Sequence, residues 1–130
     1  MNYKPISPRL NLVSKEIVDA AHAVHKALGP GLLESIYEAC LEHELNNRGL
    51  KIDRQVSLPI IYGGLELAGG LRLDLVVEEA VIVEIKSVET ILPVHKAQIL
   101  TYLKLSGHRL GLLLNFNVPR IKDGIQRSIL

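Results

Sequence analysis

The chain has 130 residues, of which 48% are hydrophobic and 22% are charged, and its formal net charge is +1. This composition excludes a disordered chain and predicts one domain over residues 1–130 with a single core. The near-neutral charge argues against a broad basic surface but leaves room for a local basic patch. The single Cys40 excludes an intrachain disulfide. Because neither a signal peptide nor an apolar span is evident, we expect a cytoplasmic protein without membrane association.

Helical periodicity dominates the first part of the chain. Residues 1–11 contain two prolines and predict an irregular arm, after which Ser14 is expected to cap a first helix. That helix should end at Gly29-Pro30-Gly31. A second helix is predicted from about Leu32 to Arg48-Gly49, with Glu34 in its first turn, where the helix dipole favours a carboxylate. Its expected apolar face consists of Leu33, Ile36, Tyr37, Cys40, Leu41 and Leu45.

After residue 51 the apolar period becomes two, which predicts strands. The predicted strands are Ile52 to Tyr62, Leu65 to Leu67, Leu71 to Val77 and Ala80 to Lys86, with breaks at Gly63-Gly64, Gly69-Gly70 and Glu78-Glu79. Such short connections predict an antiparallel meander.

A crossover is predicted in the last third of the chain. Pro93 should begin a third helix that runs to Ser106 and that Gly107 ends. The apolar run from Leu110 to Phe116 predicts a strand buried on both faces and parallel to a neighbour. The basic tail from Pro119 to Leu130 is expected to form a short final helix, although Gly124 disfavours it. The expected fold class is therefore α/β, with a mixed central sheet flanked by helices.

Two opposite charges end the otherwise apolar strand Val81 to Lys86. Glu84 and Lys86 are spaced by two residues, so their side chains share one face of the strand. Ionised groups at the end of a buried strand are costly to desolvate unless a metal or an anionic substrate pairs with them. The alternative is a strand that surfaces there and leaves both charges solvated.

Asp74 interrupts the preceding strand in the same way. With a two-residue turn at Glu78-Glu79 it would face Val83, and with a three-residue turn it would stand opposite Glu84. A metal site therefore requires the longer turn or a bulge. Without it, Asp74 is a solvent-facing residue of a half-exposed hairpin.

These residue types suit a hard divalent cation. Mg²⁺ or Mn²⁺ takes oxygen ligands, and Mg²⁺ needs only one or two protein carboxylates besides water and substrate phosphate. Asp74 and Glu84 meet this requirement, the carbonyl of Ile85 could add a ligand, and Glu34 could bind directly or through water. Lys86 would then stabilise charge that develops on a scissile phosphate.

Gln98 and Tyr102 lie one turn apart on the third helix. In isolation they are ordinary polar residues of an amphipathic helix, and near the carboxylates they could contact a phosphate or order a carboxylate.

The ordered set Glu34, Asp74, Glu84-Ile85-Lys86 and Gln98 to Tyr102 resembles the PD-(D/E)xK superfamily, including the RecB-like nucleases. In that superfamily a helix Glu, a strand Asp, an ExK strand and a QxxxY helix surround a metal. The segment Gly31 to Tyr37 is similar to the signature of the GxxExxY proteins, a family placed in that superfamily. The resemblance also covers the segments at 113–116 and 122–127. It implies a restriction-endonuclease-like core and a metal-binding site built from the matching residues.

The leading hypothesis is a Mg²⁺- or Mn²⁺-dependent nuclease that hydrolyses phosphodiester bonds with a metal-activated water. Its partner would be nucleic acid, although no helix-turn-helix or zinc finger is evident. Candidate phosphate contacts are Lys96, Lys104, Arg109, Arg120, Lys122 and Arg127.

Other readings belong to different classes of protein. A non-catalytic binding or assembly module could keep the nuclease fold, and exposed Leu or Ile on the strand-rich face could form a homodimer. A zinc site at His22 and His25 lacks a Cys pair or an HExxH motif, so surface histidines explain these residues better. Cys40 lies on the predicted apolar helix face, where a thiol is inert.

Overall fold

The computed structural model describes residues 4–130, which form a single layered α/β domain. The helices are α1 (Pro8–Leu28), α2 (Glu34–Asn47) and α3 (Pro93–Ser106), and a short 3-10 helix covers Ile121–Gly124. The strands are β1 (Ile52–Tyr62), β2 (Leu65–Val77), β3 (Val81–Lys86), β4 (Leu110–Asn115) and β5 (Ile125–Ile129). They form one sheet in the order β1-β2-β3-β4-β5, with β3 and β4 parallel and the other neighbours antiparallel. The predicted mixed sheet flanked by helices is confirmed.

Helix α1 begins earlier than the sequence pattern predicted. The hydroxyl of Ser7 accepts a hydrogen bond from the backbone N–H of Leu10 at 3.2 Å, and Pro8 occupies the first helical position. Because this cap and Pro8 both favour a helix start, residues 8–11 are helical and not part of an irregular arm. Residues 1–3 of the predicted arm lie outside the described residues. Ser14 is a buried residue inside the helix and not its cap. Within residues 4–130, no helix is both long enough and apolar enough to cross a membrane.

Helix α2 ends as predicted but begins later. Gly49 follows the helix in a left-handed conformation with φ 82°, which glycine adopts without strain. Leu33 lies before the first residue of the helix, and it is 73% exposed. Ile36 is also exposed, so the predicted apolar face is wrong at these two positions.

Strand β2 is continuous, whereas the sequence predicted a break at Gly69-Gly70. The register with β1 shifts between Leu58 and Ile60, and the glycine pair absorbs this shift. A Cβ on Gly70 would lie 2.9 Å from the side chain of Ile60. Glycine therefore lets the two strands stay paired through the irregularity, and the meander extends into a long β1–β2 hairpin.

The predicted crossover is confirmed. Helix α3 runs from Pro93 to Ser106, and Gly107 follows it in a left-handed conformation with φ 79°. It joins β3 to the parallel strand β4, which is buried at all six positions. A Cβ on Gly111 would lie 2.9 Å from Ile99, so the glycine lets α3 pack closely on β4.

The C-terminal tail forms a strand and not the predicted final helix. After the 3-10 turn, Ile125–Ile129 pairs antiparallel with β4 and closes that edge of the sheet. A Cβ on Gly124 would lie 2.0 Å from the backbone oxygen of Asn115. Only glycine fits this close backbone approach, so Gly124 lets the chain pass from the 3-10 turn into β5 beside Asn115.

The sheet separates two apolar clusters, and its strand β2 changes face near Asp74. Leu75 packs with α1 and α2 on one face, whereas Val76 packs with Leu103 of α3 on the other. Leu73 also belongs to the α3 cluster, although a regular strand would place it on the same face as Leu75. The side-chain alternation of β2 is therefore interrupted at Asp74.

Candidate functional site

Asp74 and Glu84 stand opposite each other on neighbouring strands. The β2–β3 register pairs Val77 with Val81 and Leu75 with Val83, which leaves a three-residue turn at residues 78–80. The backbone N–H of Asp74 donates to Oε1 of Glu84 at 3.2 Å, and the N–H of Ile85 donates to Oδ2 of Asp74 at 2.8 Å. The longer turn, which a metal site would require, is therefore the one formed.

The carboxyl group of Glu84 is removed from water, and the half-buried carboxyl group of Asp74 lies near it. Glu84 is only 4% exposed. Burial and the neighbouring Asp74 carboxylate raise the pKa of Glu84 to about 8. Burial also raises the pKa of Asp74. Without a bound cation, this pair therefore holds a proton at neutral pH.

Lys86 is the nearby positive charge, and it does not neutralise the pair by direct contact. Its charge lowers the pKa of both Asp74 and Glu84, which places it close to them. None of the ion pairs formed within residues 4–130 includes any of the three. Lys86 therefore stands near the acidic residues without forming an ion pair with either of them.

Glu34 reaches the end of β3 from the first turn of α2. Its Oε1 accepts a hydrogen bond from the backbone N–H of Ser87 at 3.2 Å. The preceding loop is fixed by Tyr37, whose hydroxyl donates to the carbonyl of Gly29 at 2.6 Å and accepts from the N–H of Leu32 at 3.1 Å. Tyr37 thus ties together the loop that precedes Glu34.

Gln98 and Tyr102 lie on α3, on the side of the sheet near Asp74 and Glu84, which are called the acidic pair below. The amide nitrogen of Gln98 donates to the hydroxyl of Tyr102 at 2.8 Å. Burial raises the pKa of Tyr102, and the charges of Glu84 and Asp74 raise it further. The helix and the two strands therefore converge on one region.

Glu38 and Gln55 lie in this region, although the sequence analysis did not identify them as site residues. A cavity of about 190 Å³ is lined by Glu34, Ser35, Glu38, Gln55, Asp74 and Ile85. Glu38 is 6% exposed, and its oxygens accept from Nε of Arg54 at 2.9 Å and from the amide of Gln55 at 2.6 Å. The sequence contained one indication of Glu38. Arg54 occupies a position of β1 where the alternating pattern otherwise has apolar residues, and a charged side chain there needs a partner.

The donors available to a cation are oxygen atoms. Within residues 4–130, no group of three or more Asp, Glu, His and Cys side chains is close enough to hold an ion alone. A site here would rely on Asp74 and Glu84, with oxygens of Ile85, Glu34, water or substrate completing it. Mg²⁺ is bound in this way in many proteins, because it retains waters and requires few protein ligands.

Of the candidate phosphate contacts, two arginines have intramolecular partners. Arg109 donates to the carbonyls of Lys4, Pro5 and Leu130, and Arg127 donates to Asn11 at 2.6 Å. The other four candidates are exposed, and two of these, Lys96 and Lys104, lie on α3.

The zinc alternative has no support in residues 4–130, where no metal-binding group that includes histidine is found. His22 is exposed as expected, but the expectation of a surface histidine is wrong for His25. His25 is 9% exposed, and its Nε2 hydrogen-bonds with the carbonyl of Val118 at 2.8 Å, which explains its burial. Cys40 is partly buried against the core, as the apolar helix face predicted.

Comparison with known proteins agrees with the geometry. A family model described as the PD-(D/E)XK nuclease superfamily matches residues 11–128. Neither the curated proteins nor the solved structures gave a match. The match spans nearly all the described elements, including both strands of the acidic pair. The chain therefore belongs to the PD-(D/E)XK nuclease superfamily, and its three helices and five-stranded mixed sheet are consistent with a restriction-endonuclease-like fold.

Proposed function

We propose that this protein is a Mg²⁺- or Mn²⁺-dependent nuclease that hydrolyses phosphodiester bonds of nucleic acid. The observation that carries the proposal is the pair of facing carboxylates of the half-buried Asp74 and the buried Glu84 beside Lys86. The motif from Gly31 to Tyr37 supports the narrower proposal that the chain is a GxxExxY protein, since Tyr37 and Gly31 fix the loop that positions Glu34.

The acidic pair fits a hard divalent cation. Two carboxylates with raised pKa values lack a paired cation within the described chain, so a divalent ion would compensate their charge. We assign Asp74, Glu84 and the carbonyl oxygen of Ile85 as ligands, with Glu34 acting directly or through a water. The donor set contains only oxygen, which favours Mg²⁺ or Mn²⁺ over softer metals.

Each side chain then has a defined task. A bound divalent cation would lower the pKa of a coordinated water and polarise the phosphate. Lys86 shares a strand face with Glu84, so its ammonium group stabilises negative charge that develops on the phosphate oxygens. The Tyr102 hydroxyl and Gln98 amide act as substrate contacts or order the Glu84 carboxyl group.

Cleavage assays and metal binding test these assignments together. The substrates are single-stranded, double-stranded and branched DNA and RNA, each with Mg²⁺ or Mn²⁺. We expect Lys86→Ala to abolish cleavage while the fold and Mn²⁺ binding persist, and Asp74→Asn or Glu84→Gln to remove Mn²⁺ binding. Glu89→Gln, at an exposed position after β3, is the charge-matched control. Wild-type cleavage by the Lys86 or Glu84 variant would contradict the assignment.

An apolar hairpin tip favours a second candidate, a non-catalytic assembly module that forms a homodimer. Ile61, Tyr62, Leu65 and Leu67 surround the β1–β2 turn and are 48–79% exposed. A two-fold axis would pair this tip with the same surface of a second copy. Sedimentation velocity of the wild type and of Tyr62→Ser, Leu65→Ser tests it. A monomeric wild type would exclude the homodimer, and cleavage of any substrate would exclude a non-catalytic role.

A further inference from the structure

Gln55 has a backbone conformation that side chains rarely adopt. Its φ is 53°, in the left-handed region, in the middle of strand β1. The register pairs Arg54 with Leu75 and Val56 with Leu73. Gln55 and Asp74 lie between these two pairs and are not themselves paired in the ladder. A non-glycine residue stays in such a conformation only when its surroundings hold it, and such residues cluster at functional sites.

The carboxamide of Gln55 has a fixed orientation. Its nitrogen donates to Oε1 of Glu38 at 2.6 Å, and Nε of Arg54 donates to the other Glu38 oxygen at 2.9 Å. An ionised carboxylate only accepts hydrogen bonds, so the amide nitrogen must face Glu38. No donor from residues 4–130 bonds to the carbonyl oxygen of Gln55, which is the remaining polar end of the side chain.

We propose that the carbonyl oxygen of Gln55 is an additional oxygen donor of the site between Asp74 and Glu34, bound to the cation directly or through a water. The cavity of about 190 Å³ that Gln55 lines also contains both of those residues. Glu38 and Arg54 are then positioning residues that act through Gln55. This inference rests on the proposed metal-dependent function.

The chemistry of the cavity favours a neutral donor at this position. Glu34, Glu38 and Asp74 already place three carboxylates around it, and only Glu38 has a cationic partner within the described chain. A further carboxylate would increase the repulsion between them, whereas an amide oxygen adds a ligand without adding charge.

An exchange of the two hydrogen-bonding partners tests the proposal without relying on catalysis. The double variant Glu38→Gln, Gln55→Glu keeps a hydrogen bond between the two positions with donor and acceptor reversed. It also gives the cavity a charged oxygen in place of the neutral one. Gln55→Ala removes that oxygen, and Gln126→Ala makes the same truncation on β5 at the opposite edge of the sheet.

Mn²⁺ binding is measured by calorimetry on metal-depleted protein without nucleic acid, and urea unfolding monitors the fold. We expect Gln55→Ala to weaken Mn²⁺ binding by about tenfold, in the range typical of residues that support a metal site. The exchange variant should bind Mn²⁺ about tenfold more tightly than the wild type, because carboxylate is the stronger ligand. Gln126→Ala should bind like the wild type. A purely structural role predicts wild-type affinity in the exchange variant.

The outcomes separate this inference from the proposed function. If the wild type binds Mn²⁺, Asp74→Asn abolishes the binding and both Gln55 variants match the wild type, the Gln55 role is refuted and the metal site stands. If the wild type does not bind Mn²⁺ at all, the metal-dependent function and the Gln55 inference are refuted together.

Discussion

The protonated Glu84 makes the stability of the metal-free protein depend on pH. The pKa of Glu84 is about 8 in the folded protein, compared with an ordinary value of 4.5. Between these values the folded state holds one more proton than the unfolded state, so the free energy of unfolding falls as pH rises. The contribution is fully favourable below about pH 4.5 and is lost as the pH approaches 8.

The magnitude of this pH dependence follows from the one extra proton that the folded state holds. The slope is about 1 kcal/mol per pH unit, which amounts to about 2 kcal/mol between about pH 5 and 7. This is a large share of the roughly 5–15 kcal/mol by which domains are stable. Burial raises the pKa of Asp74 as well, so its contribution has the same sign. Burial lowers the pKa of His108, which adds a slope of opposite sign below about pH 6.5.

Urea unfolding in the presence of a chelator, followed by circular dichroism, measures this slope. Glu84→Gln stays neutral at every pH, so the difference between wild type and variant isolates Glu84 from His108. We expect the wild type to lose stability relative to Glu84→Gln by about 1 kcal/mol per pH unit, whereas Glu89→Gln should follow the wild type. A constant difference between wild type and Glu84→Gln from pH 5 to 7 would falsify the reasoning.

Three further predictions test the surroundings of the acidic pair. Gln55→Gly should be more stable than Gln55→Ala by about 1 kcal/mol in urea unfolding, because only glycine relieves the left-handed backbone, and the reverse order would contradict the strain. Tyr37→Phe loses both hydrogen bonds to the loop before Glu34, which should lower the free energy of unfolding by about 1 kcal/mol. Cleavage should fall by more than the folded fraction does, and unchanged cleavage would refute the positioning role of Tyr37. Replacing Lys96 and Lys104 by Gln should reduce the salt slope of nucleic-acid binding by up to about 2, and an unchanged slope would show that α3 does not contact phosphate.

The elements with strong local signals were predictable from the sequence. Helix α3 has proline at its first position and glycine after its last, and both bounds are confirmed. The buried run of β4 likewise identified a parallel strand. The tail after Pro119 was not predictable, because its strand depends on a close approach of Gly124 to the backbone of Asn115. That contact joins residues from different elements and leaves no periodic pattern.

The site residues were predictable individually, whereas their register was not. A two-residue and a three-residue turn were both compatible with the sequence at Glu78-Glu79. The formed turn holds Glu78 and Glu79 in left-handed conformations, with φ 56° and 54°, which neither residue type signals. Lys51 stabilises it from outside the hairpin, since its N–H donates to Oε2 of Glu78 at 2.7 Å and its side chain pairs with Glu79. A contact 27 residues away thus helps to place Asp74 opposite Glu84.

Three unfavourable features coincide at Asp74, and their coincidence argues for function independently of family membership. The buried carboxyl group of Glu84 lies beside that of the half-buried Asp74, Gln55 has a strained backbone, and the alternation of β2 is interrupted. Each feature alone destabilises the fold, and an apolar pair in a regular ladder would avoid all three. Selection for stability alone would not retain three destabilising features at one position of the sheet. A ligand that binds there compensates them together, because it neutralises the carboxylates and uses the oxygen that the strained backbone positions.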